Sequence, residues 1–335
     1  MRLKKGFLLV MHHLRAAWYA ITVALPIILR TGRRPVIFNK WSGIGDIICT
    51  FPAVIELKKR HPNAAHIYNC HPEYTCLPKL GGITDKTTSF PDVGVVGYWY
   101  RFLLAGYYNF ASDDDKPEVT PTDVYIKDFG RSHGVAVGEM HPCLDLSEEN
   151  IREIHPLLAQ KGISDQTMVV IHPGPSWPVR EWPLDHWKTL VSELHQNGLT
   201  NVVQLGVAKH LALGEIAQPE IPGTVSLVDQ LTLEQTVTLI SQASLFIGID
   251  SGLLHIAAAT RTPAVGLWGP TSPHLRFCGE IRKSFITSNA ACQGCHHRHP
   301  RLHWMTDCPK GIACMKTISV NEVMAACLSQ VGKLQ

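Results

Sequence analysis

The chain has 335 residues, of which 45% are hydrophobic and 18% charged, and a formal net charge of +3. That length favours two domains, and that apolar content supports a full core and excludes wholesale disorder. So mild a charge does not argue for nucleic-acid binding. No heptad run or solenoid-length repeat is present.

The N-terminus comes first in chain order. Arg2, Lys4 and Lys5 precede a mostly apolar stretch that runs to Leu29 and is followed by Arg30, Arg33 and Arg34. Its clean apolar part, Ala16 to Leu29, is shorter than the ~20 residues needed to cross a bilayer of ~30 Å. Pro26 disturbs its last turn, and no small-residue cleavage site follows. Residues 1–33 therefore read in one of three ways. One is an interfacial helix whose basic flanks are drawn to anionic lipid; another is a helix packed on the protein body; a true span is the minor third.

Two α/β halves follow, expected over residues 34–160 and 161–325. Pro35 to Asn39 is a short apolar strand. Gly43-Ile44-Gly45-Asp46 is a turn, and Ile47 to Arg60 carries a broad apolar face at helical spacing. Pro52 is placed in its first turns and Pro62 stops it. Ala65 to Asn69 suits the next strand. The region 78–150 is harder to read. It holds the aromatics Tyr98, Trp99, Tyr100, Tyr107 and Tyr108, which suit either an acceptor groove or a core. It also holds Asp113-Asp114-Asp115-Lys116-Pro117, which reads as an exposed loop. The second half opens on Met168 to His172, a strand. Pro183 to Gln196 is a helix, Asn201 to Leu205 a strand, Leu233 to Ala243 a helix and Leu245 to Ile249 a strand. Strands alternating with helices imply parallel sheets covered on both faces, with ligands at the carboxyl ends of the strands.

Three strand-to-helix turns carry the chemistry. In the first, Gly43 and Gly45 are read as allowing a tight bend and close approach of a ligand to the backbone. The pattern is not a dinucleotide fingerprint, because Ile48 stands where a third glycine is needed. Asp46 reads as a helix-start acid or as a general base. In the second, Ile171 to Trp177 ends in a Gly/Pro/Ser loop whose Gly174 and Ser176 can offer donors to an anion. Arg180 follows with a planar cationic fork. Trp182-Pro183 reads as packing at the start of a helix. In the third, Asp250-Ser251-Gly252 opens a helix containing His255, and Gly269-Pro270-Thr271 closes the following apolar run. A helix start of this kind binds anions, because its first N–H groups lack partners and the dipole end is positive. The expected ligand is phosphorylated.

Ten cysteines are present. Cys49, Cys70, Cys76, Cys143, Cys278 and Cys327 are scattered, while Cys292, Cys295, Cys308 and Cys314 cluster with His296, His297, His299 and His303. With no convincing secretory signal, a cytoplasmic, reducing setting is expected. For the cluster three readings stay open: a structural Zn or Fe site, reduced thiols, or disulfides.

Taken together, GxGD near the start, a Gly-containing loop with basic-x-Trp-Pro in the middle, and D-S-G-x-x-H-x-A-A-A with a later G-P-T turn resemble glycosyltransferase family 9. These are the bacterial ADP-heptose:lipopolysaccharide heptosyltransferases. The resemblance covers roughly residues 35 to 325. It implies an α/β GT-B architecture, two Rossmann-like domains with the active site in the cleft between them. It also implies inverting sugar transfer that requires no metal or other cofactor for catalysis. By resemblance Asp46 is the base, Arg180 replaces the family's usual lysine at the donor phosphates, and Asp250, Ser251, Gly252 and His255 lie along the pyrophosphate and sugar. Lys209 stands near the place where many members carry an acid at the donor ribose. The implied partners are a nucleotide-sugar donor and a lipopolysaccharide-type or other glycan acceptor, with peripheral contact at the cytoplasmic face of the inner membrane and no nucleic acid. Some relatives also carry a cysteine-rich segment here, and a subset is associated with a bound metal. A nucleotide-sugar epimerase on the same scaffold and a non-catalytic nucleotide-sugar-binding protein are the alternatives.

Overall fold

The computed structural model describes residues 2–91, 93–99, 101–111, 124–164, 167–174, 177–210, 214–215, 220–277, 284–298 and 308–332. Ser176, Tyr100, Cys278, His299, His303 and the loop at Asp113 to Pro117 lie outside them. The chain forms two compact units, Met1–Ser112 with Ile126–Pro142, and Asp113–Tyr125 with Cys143–Gln335. The boundary expected at residue 160 therefore falls earlier. Helix Glu148–Gln160, which opens on a Ser147–Asn150 capping box, packs on helix Leu233–Gln242 of the second unit. Asn150 Nδ2 donates to Glu234 Oε1 there at 2.9 Å. Residues 1–33 likewise belong to the first unit rather than forming an extension of their own.

The first unit is built on β1 (Pro35–Asn39), β2 (Ala65–Asn69), β3 (Lys86–Thr88) and β4 (Gly106–Asn109), ordered β3-β2-β1-β4. All its pairings are parallel. Register places Phe38 beside Tyr68 and Tyr108, and Asn39 beside Asn69 and Asn109. Three strands thus end on an aromatic residue followed by asparagine, in register. Asn39 Nδ2 donates to Asn109 Oδ1 (2.5 Å) and Asn69 Nδ2 donates to Asn39 Oδ1 (2.8 Å). This amide ladder satisfies polar groups at the strand ends, directly before the GxGD turn.

The expected helix from Ile47 to Arg60 is two helices, Ile44–Cys49 and Phe51–Lys58. Pro52 has no N–H to continue the first, and Thr50 takes up the break. Its hydroxyl lies 2.7 Å from the Ile47 carbonyl and 2.6 Å from the Tyr68 hydroxyl. The N-terminal helix, Arg2–Tyr19, passes through a π turn, Ala20–Ala24, into Leu25–Thr31. A π turn just before Pro26 is the kind of distortion that proline imposes inside a helix. Gly32 ends the helix at φ 67°, a left-handed cap that suits glycine. Ala16, Tyr19 and Ala24 pack with Ile37, Val93, Val96 and Leu104, so the packed-helix reading holds for this side.

The second unit carries β5 (Val169–His172), β6 (Val202–Gln204), the two-residue strands β7 (Lys209–His210), β8 (Gly214–Glu215) and β9 (Val225–Ser226), then β10 (Leu245–Ile249), β11 (Ala264–Trp268) and β12 (Ile286–Thr287). Its main sheet is ordered β12-β11-β10-β5-β6-β9 and is parallel throughout. Every residue of β5, β10 and β11 is buried, as parallel strands covered on both faces must be. Helix Leu184–Gln196, through Trp187, Leu190, Val191 and Leu194, joins Val169, Ile171 and Ile247 in one core with Val323 and Cys327 of helix Val320–Val331. Burial pushes the Cys327 thiol up to about 12.

Candidate active site

In the first unit the site is the turn after β1. Gly43 caps helix Ile44–Cys49 with extended backbone, φ −68° and ψ 169°. Any residue adopts that conformation, so the bend itself does not demand Gly43. A Cβ there would meet only Asp46 Oδ2, at 3.9 Å, which leaves close approach of a ligand as the glycine's use. Gly45 lies in the first turn, and Asp46 follows it, half-buried. Asp46 is therefore not the capping residue: its carboxylate accepts the Ser42 hydroxyl instead, through Oδ2. Asp46 is the carboxylate of this turn.

An aromatic edge stands nearby. Trp41 meets His71 at 5.6 Å between ring centroids, and His71 meets Tyr74 at 5.6 Å. Burial, then the charges of Glu73 and Asp46, push the Tyr74 phenol up to about 12. The aromatics expected at an acceptor groove behave differently. Tyr108 stacks on Phe38 and its hydroxyl meets His61 Nε2 at 2.7 Å. Tyr107 packs on the first unit's core so closely that a Cβ on Gly97 would fall 2.8 Å from its ring. Tyr98 is exposed.

In the second unit two of the read turns come together. Strand β5 ends at His172, and Gly174 follows at φ 149°, a backbone conformation that side-chain-bearing residues avoid. Arg180 closes the short helix Pro178–Arg180. Its Nη1 donates to the Asp250 carbonyl at 3.2 Å and lies 3.3 Å from Asp250 Oδ2. The Asp250 carboxylate also accepts the Thr271 hydroxyl at 2.6 Å. Burial alone would raise the Asp250 pKa. The cations Arg180 and Arg276, the Thr271 hydrogen bond and His255 outweigh it, so the carboxyl is held below its ordinary 3.8. Asp250, expected to lie along the phosphates, is thus a buried anion turned onto Arg180. A buried carboxylate so placed fixes the geometry of the Arg180 guanidinium.

Ser251 caps helix Gly252–Ala259 by position, but its own side chain does not hydrogen-bond the first turn. The Ser251 hydroxyl sits 3.1 Å from His172 Nδ1 instead. With Ser251 not capping them, the opening N–H groups of the helix, Gly252 included, present the positive dipole end that suits an anion. His255 is buried and stacked on Phe277, centroids 4.4 Å apart.

Arg276 and the cysteine segment escaped the sequence reading as parts of this site. Arg276 is only 7% exposed, and its guanidinium lies 4.8 Å over the Tyr125 ring. The cysteine segment clamps the G-P-T turn. Gly294 N–H bonds the Gly269 carbonyl, His296 N–H bonds the Pro270 carbonyl, and Gln293 Nε2 donates to the Thr271 carbonyl. His297 Nε2 accepts the Ser272 N–H at 3.0 Å. A chain of contacts therefore runs from residues 293–297 through Thr271 and Asp250 to Arg180. Trp182, as expected, packs: its indole N–H reaches the Ile318 carbonyl at 3.0 Å and its ring meets Trp187.

The four clustered cysteines share a neighbourhood. Burial, then the charges of Cys292, Cys295 and Cys308, push the Cys314 thiol up to about 12. Burial, Cys292 and Cys308 raise Cys295 as well. Cys292, Cys295, Cys308 and Cys314 are all free thiols. Among the described residues no group of three or more His, Cys, Asp or Glu side chains is drawn close enough to hold an ion.

Residues 108–304, more than half of the chain, match glycosyltransferase family 9 (heptosyltransferase). Lipooligosaccharide heptosyltransferase 2 of Haemophilus influenzae is 32% identical over 117 residues, covering 33% of this chain and 34% of that protein. The chain thus spans about a third of the length of the curated relatives it matches. Among solved structures, the ADP-heptose lipopolysaccharide heptosyltransferase II of Escherichia coli superposes with TM-score 0.66 at 17% identity, over 90% of this chain and 99% of that one. The iron-containing dodecameric glycosyltransferase TibC of enterotoxigenic Escherichia coli gives TM-score 0.69 at 20% identity, over 90% and 77%. These likenesses establish the fold: two parallel α/β units of the GT-B type. By its match over residues 108–304, the chain belongs to glycosyltransferase family 9.

Proposed function

We propose that the chain is an inverting glycosyltransferase that moves a sugar from a nucleoside diphosphate to a hydroxyl of a glycan acceptor. The favoured donor is ADP-heptose and the favoured acceptor a lipopolysaccharide core, at the cytoplasmic face of the inner membrane. One observation carries the reading: Arg180 is held by the buried Asp250 beside a helix start whose N-cap residue, Ser251, makes no side-chain cap bond. That arrangement suits a diphosphate.

The mechanism follows from the charges. As the bond from the sugar carbon to the diphosphate breaks, negative charge grows on the leaving oxygen. Arg180 and the N–H groups of Ser251 and Gly252 meet that charge, filling the role a divalent metal ion plays elsewhere. Gly174 gives the backbone before Arg180 its unusual path, and His255 sits at the donor helix for contact with a phosphate or the sugar. On the acceptor side, Asp46 takes the proton of the attacking hydroxyl, with Ser42 orienting the carboxylate. Trp41, His71 and Tyr74 offer aromatic faces for an acceptor sugar.

The cysteine segment is assigned a structural role. Cys295 and Cys314, whose ionisation burial and the neighbouring thiols oppose, are the kind of thiol that a soft cation such as Zn or Fe relieves. As they stand, the clustered side chains are not drawn together around an ion; were Cys292, Cys295, Cys308 and Cys314 to close on one, they would brace the segment that clamps the G-P-T turn, and no step of transfer passes through it. Metal analysis of the purified chain, with and without Cys292→Ser and Cys295→Ser, tests this.

The function is tested by a mass-spectrometric screen of ADP-, GDP- and UDP-sugars with and without acceptor glycan. Transfer is expected only when both substrates are present, with slow hydrolysis of donor alone. Conversion of the donor into an isomeric nucleotide sugar without acceptor would make the chain an epimerase. Donor binding without any product would make it a binding protein.

A further inference from the structure

The outer side of the N-terminal helix is unlike the rest of the surface. Val10, Leu14, Trp18, Ile21, Leu25 and Leu29 are 55%, 60%, 68%, 61%, 38% and 76% exposed. These six are half of the twelve exposed large hydrophobics among the described residues, so the patch is not ordinary surface scatter. They recur every three or four residues, which puts them along one side of the helix. At ~1.5 Å per residue the row is about 28 Å long.

The opposite side is already committed. Ala16, Tyr19 and Ala24 lie in the first unit's core, and the Tyr19 hydroxyl meets Thr88 Oγ1 at 3.3 Å. Val10–Thr31 is long and apolar enough to cross a membrane by length and composition. A crossing helix would have to turn its whole circumference to lipid, and this one has one side fixed to a sheet with polar strand ends. The outer row can meet lipid only by lying flat.

Charge selects the occupant. Arg2, Lys4, Lys5, Arg15, Arg30, Arg33, Arg34 and Lys40 precede Asp46, and no Asp or Glu does; Lys40 is buried and Arg33 pairs with Asp85, which leaves six cations for a surface. That segment is +8 within a chain of +3, so the remainder is −5. Face-to-face pairing with a second copy would bring two such segments together against their repulsion, whereas an anionic surface complements them. Trp18 in mid-row is the side chain that favours the boundary between headgroups and acyl chains.

We propose that Val10, Leu14, Trp18, Ile21, Leu25 and Leu29 form a membrane-docking face that lies in the headgroup region of an anionic bilayer. The surface stands on its own observations; it rests on the transferase reading only for its purpose, which is to hold the chain beside a lipid-anchored acceptor.

The test is co-sedimentation of the full chain with phosphatidylcholine vesicles and with vesicles of phosphatidylcholine and phosphatidylglycerol, at low and high salt. Binding is expected on the anionic vesicles at low salt and is weakened by salt and on neutral vesicles. The double variant Leu14→Glu, Trp18→Glu should lose about tenfold or more in vesicle affinity, with an unchanged circular-dichroism spectrum and unchanged nucleotide binding. Should that variant lose helicity, Arg30→Glu, which leaves every buried contact in place, carries the test through charge alone. The proposal is overturned if the wild type ignores anionic vesicles, or if a folded variant binds them equally well. It is also overturned if the variant instead loses a dimer seen without lipid, or if alkaline carbonate fails to release the protein from cell membranes. Failure of the transferase reading would look different: no nucleotide binding, with vesicle binding intact.

Discussion

Replacing Thr271 with valine keeps the shape of the side chain and deletes its hydroxyl. Thr271 is 0% exposed, so water cannot replace the 2.6 Å bond to Asp250 Oδ2. A hydrogen bond to a buried charged acceptor contributes roughly 1.5–3 kcal/mol. A loss of about 2 kcal/mol in a unit of this size lowers its melting temperature by about 4–8 °C. The pH dependence has a definite sign. Asp250 is held below its ordinary 3.8, partly by this bond, so its folded pKa lies under its unfolded one. Its contribution is complete above the unfolded value and is lost as pH falls through the folded value. The difference between wild type and Thr271→Val should therefore be constant from neutrality down to the unfolded pKa and narrow below it. The same change loosens Asp250 around Arg180, and a cost of about 1 kcal/mol in ADP binding would weaken affinity roughly fivefold. Thermal melts followed by circular dichroism and calorimetric ADP titration read both effects. An unchanged melt with unchanged ADP affinity would refute the idea that Thr271 and Asp250 hold the phosphate cation.

Arg180→Met should cost transfer about 3–4 kcal/mol of barrier, a fall of several hundredfold or more in kcat. Arg180→Lys should restore only part of this, because a point charge cannot reproduce the fork; full recovery in steady-state kinetics would argue against a geometric role. Asn69→Leu removes the amide that serves Asn39, Thr88 and Phe90. It should destabilise the first unit by about 2–4 kcal/mol in urea unfolding while leaving ADP affinity unchanged; a loss of ADP affinity instead would place Asn69 with the donor.

Much of the second unit was legible in the sequence, because its signals are local. Short continuous apolar runs bounded by turn signals, such as Leu245 to Ile249, suit strands buried on both faces, and Asp250-Ser251-Gly252 at the end of one marks a helix start. What could not be read is the direction in which a side chain turns. Asp250 looked like a ligand residue and is a buried partner of Arg180, a distinction set by Thr271, which lies in another turn. Pro52 falls in the first turn of a helix as expected, but of a second one, because its missing N–H ends the helix before it. The asparagine ladder also had a visible signal, Phe38-Asn39, Tyr68-Asn69 and Tyr108-Asn109 at the ends of three strands that neighbour one another in the sheet. The clamp by Gln293 and His297 had none, since it depends on a tertiary fold-back.

The central claim divides the work: Asp46 acts on the acceptor proton, while the Arg180–Asp250 pair and the Ser251 helix start hold the donor. Steady-state transfer and ADP affinity measured on Asp46→Ala test this most directly. The account predicts a fall in transfer of about 10²–10⁴-fold with ADP affinity unchanged. A collapse of ADP affinity alongside substantial residual transfer would contradict it.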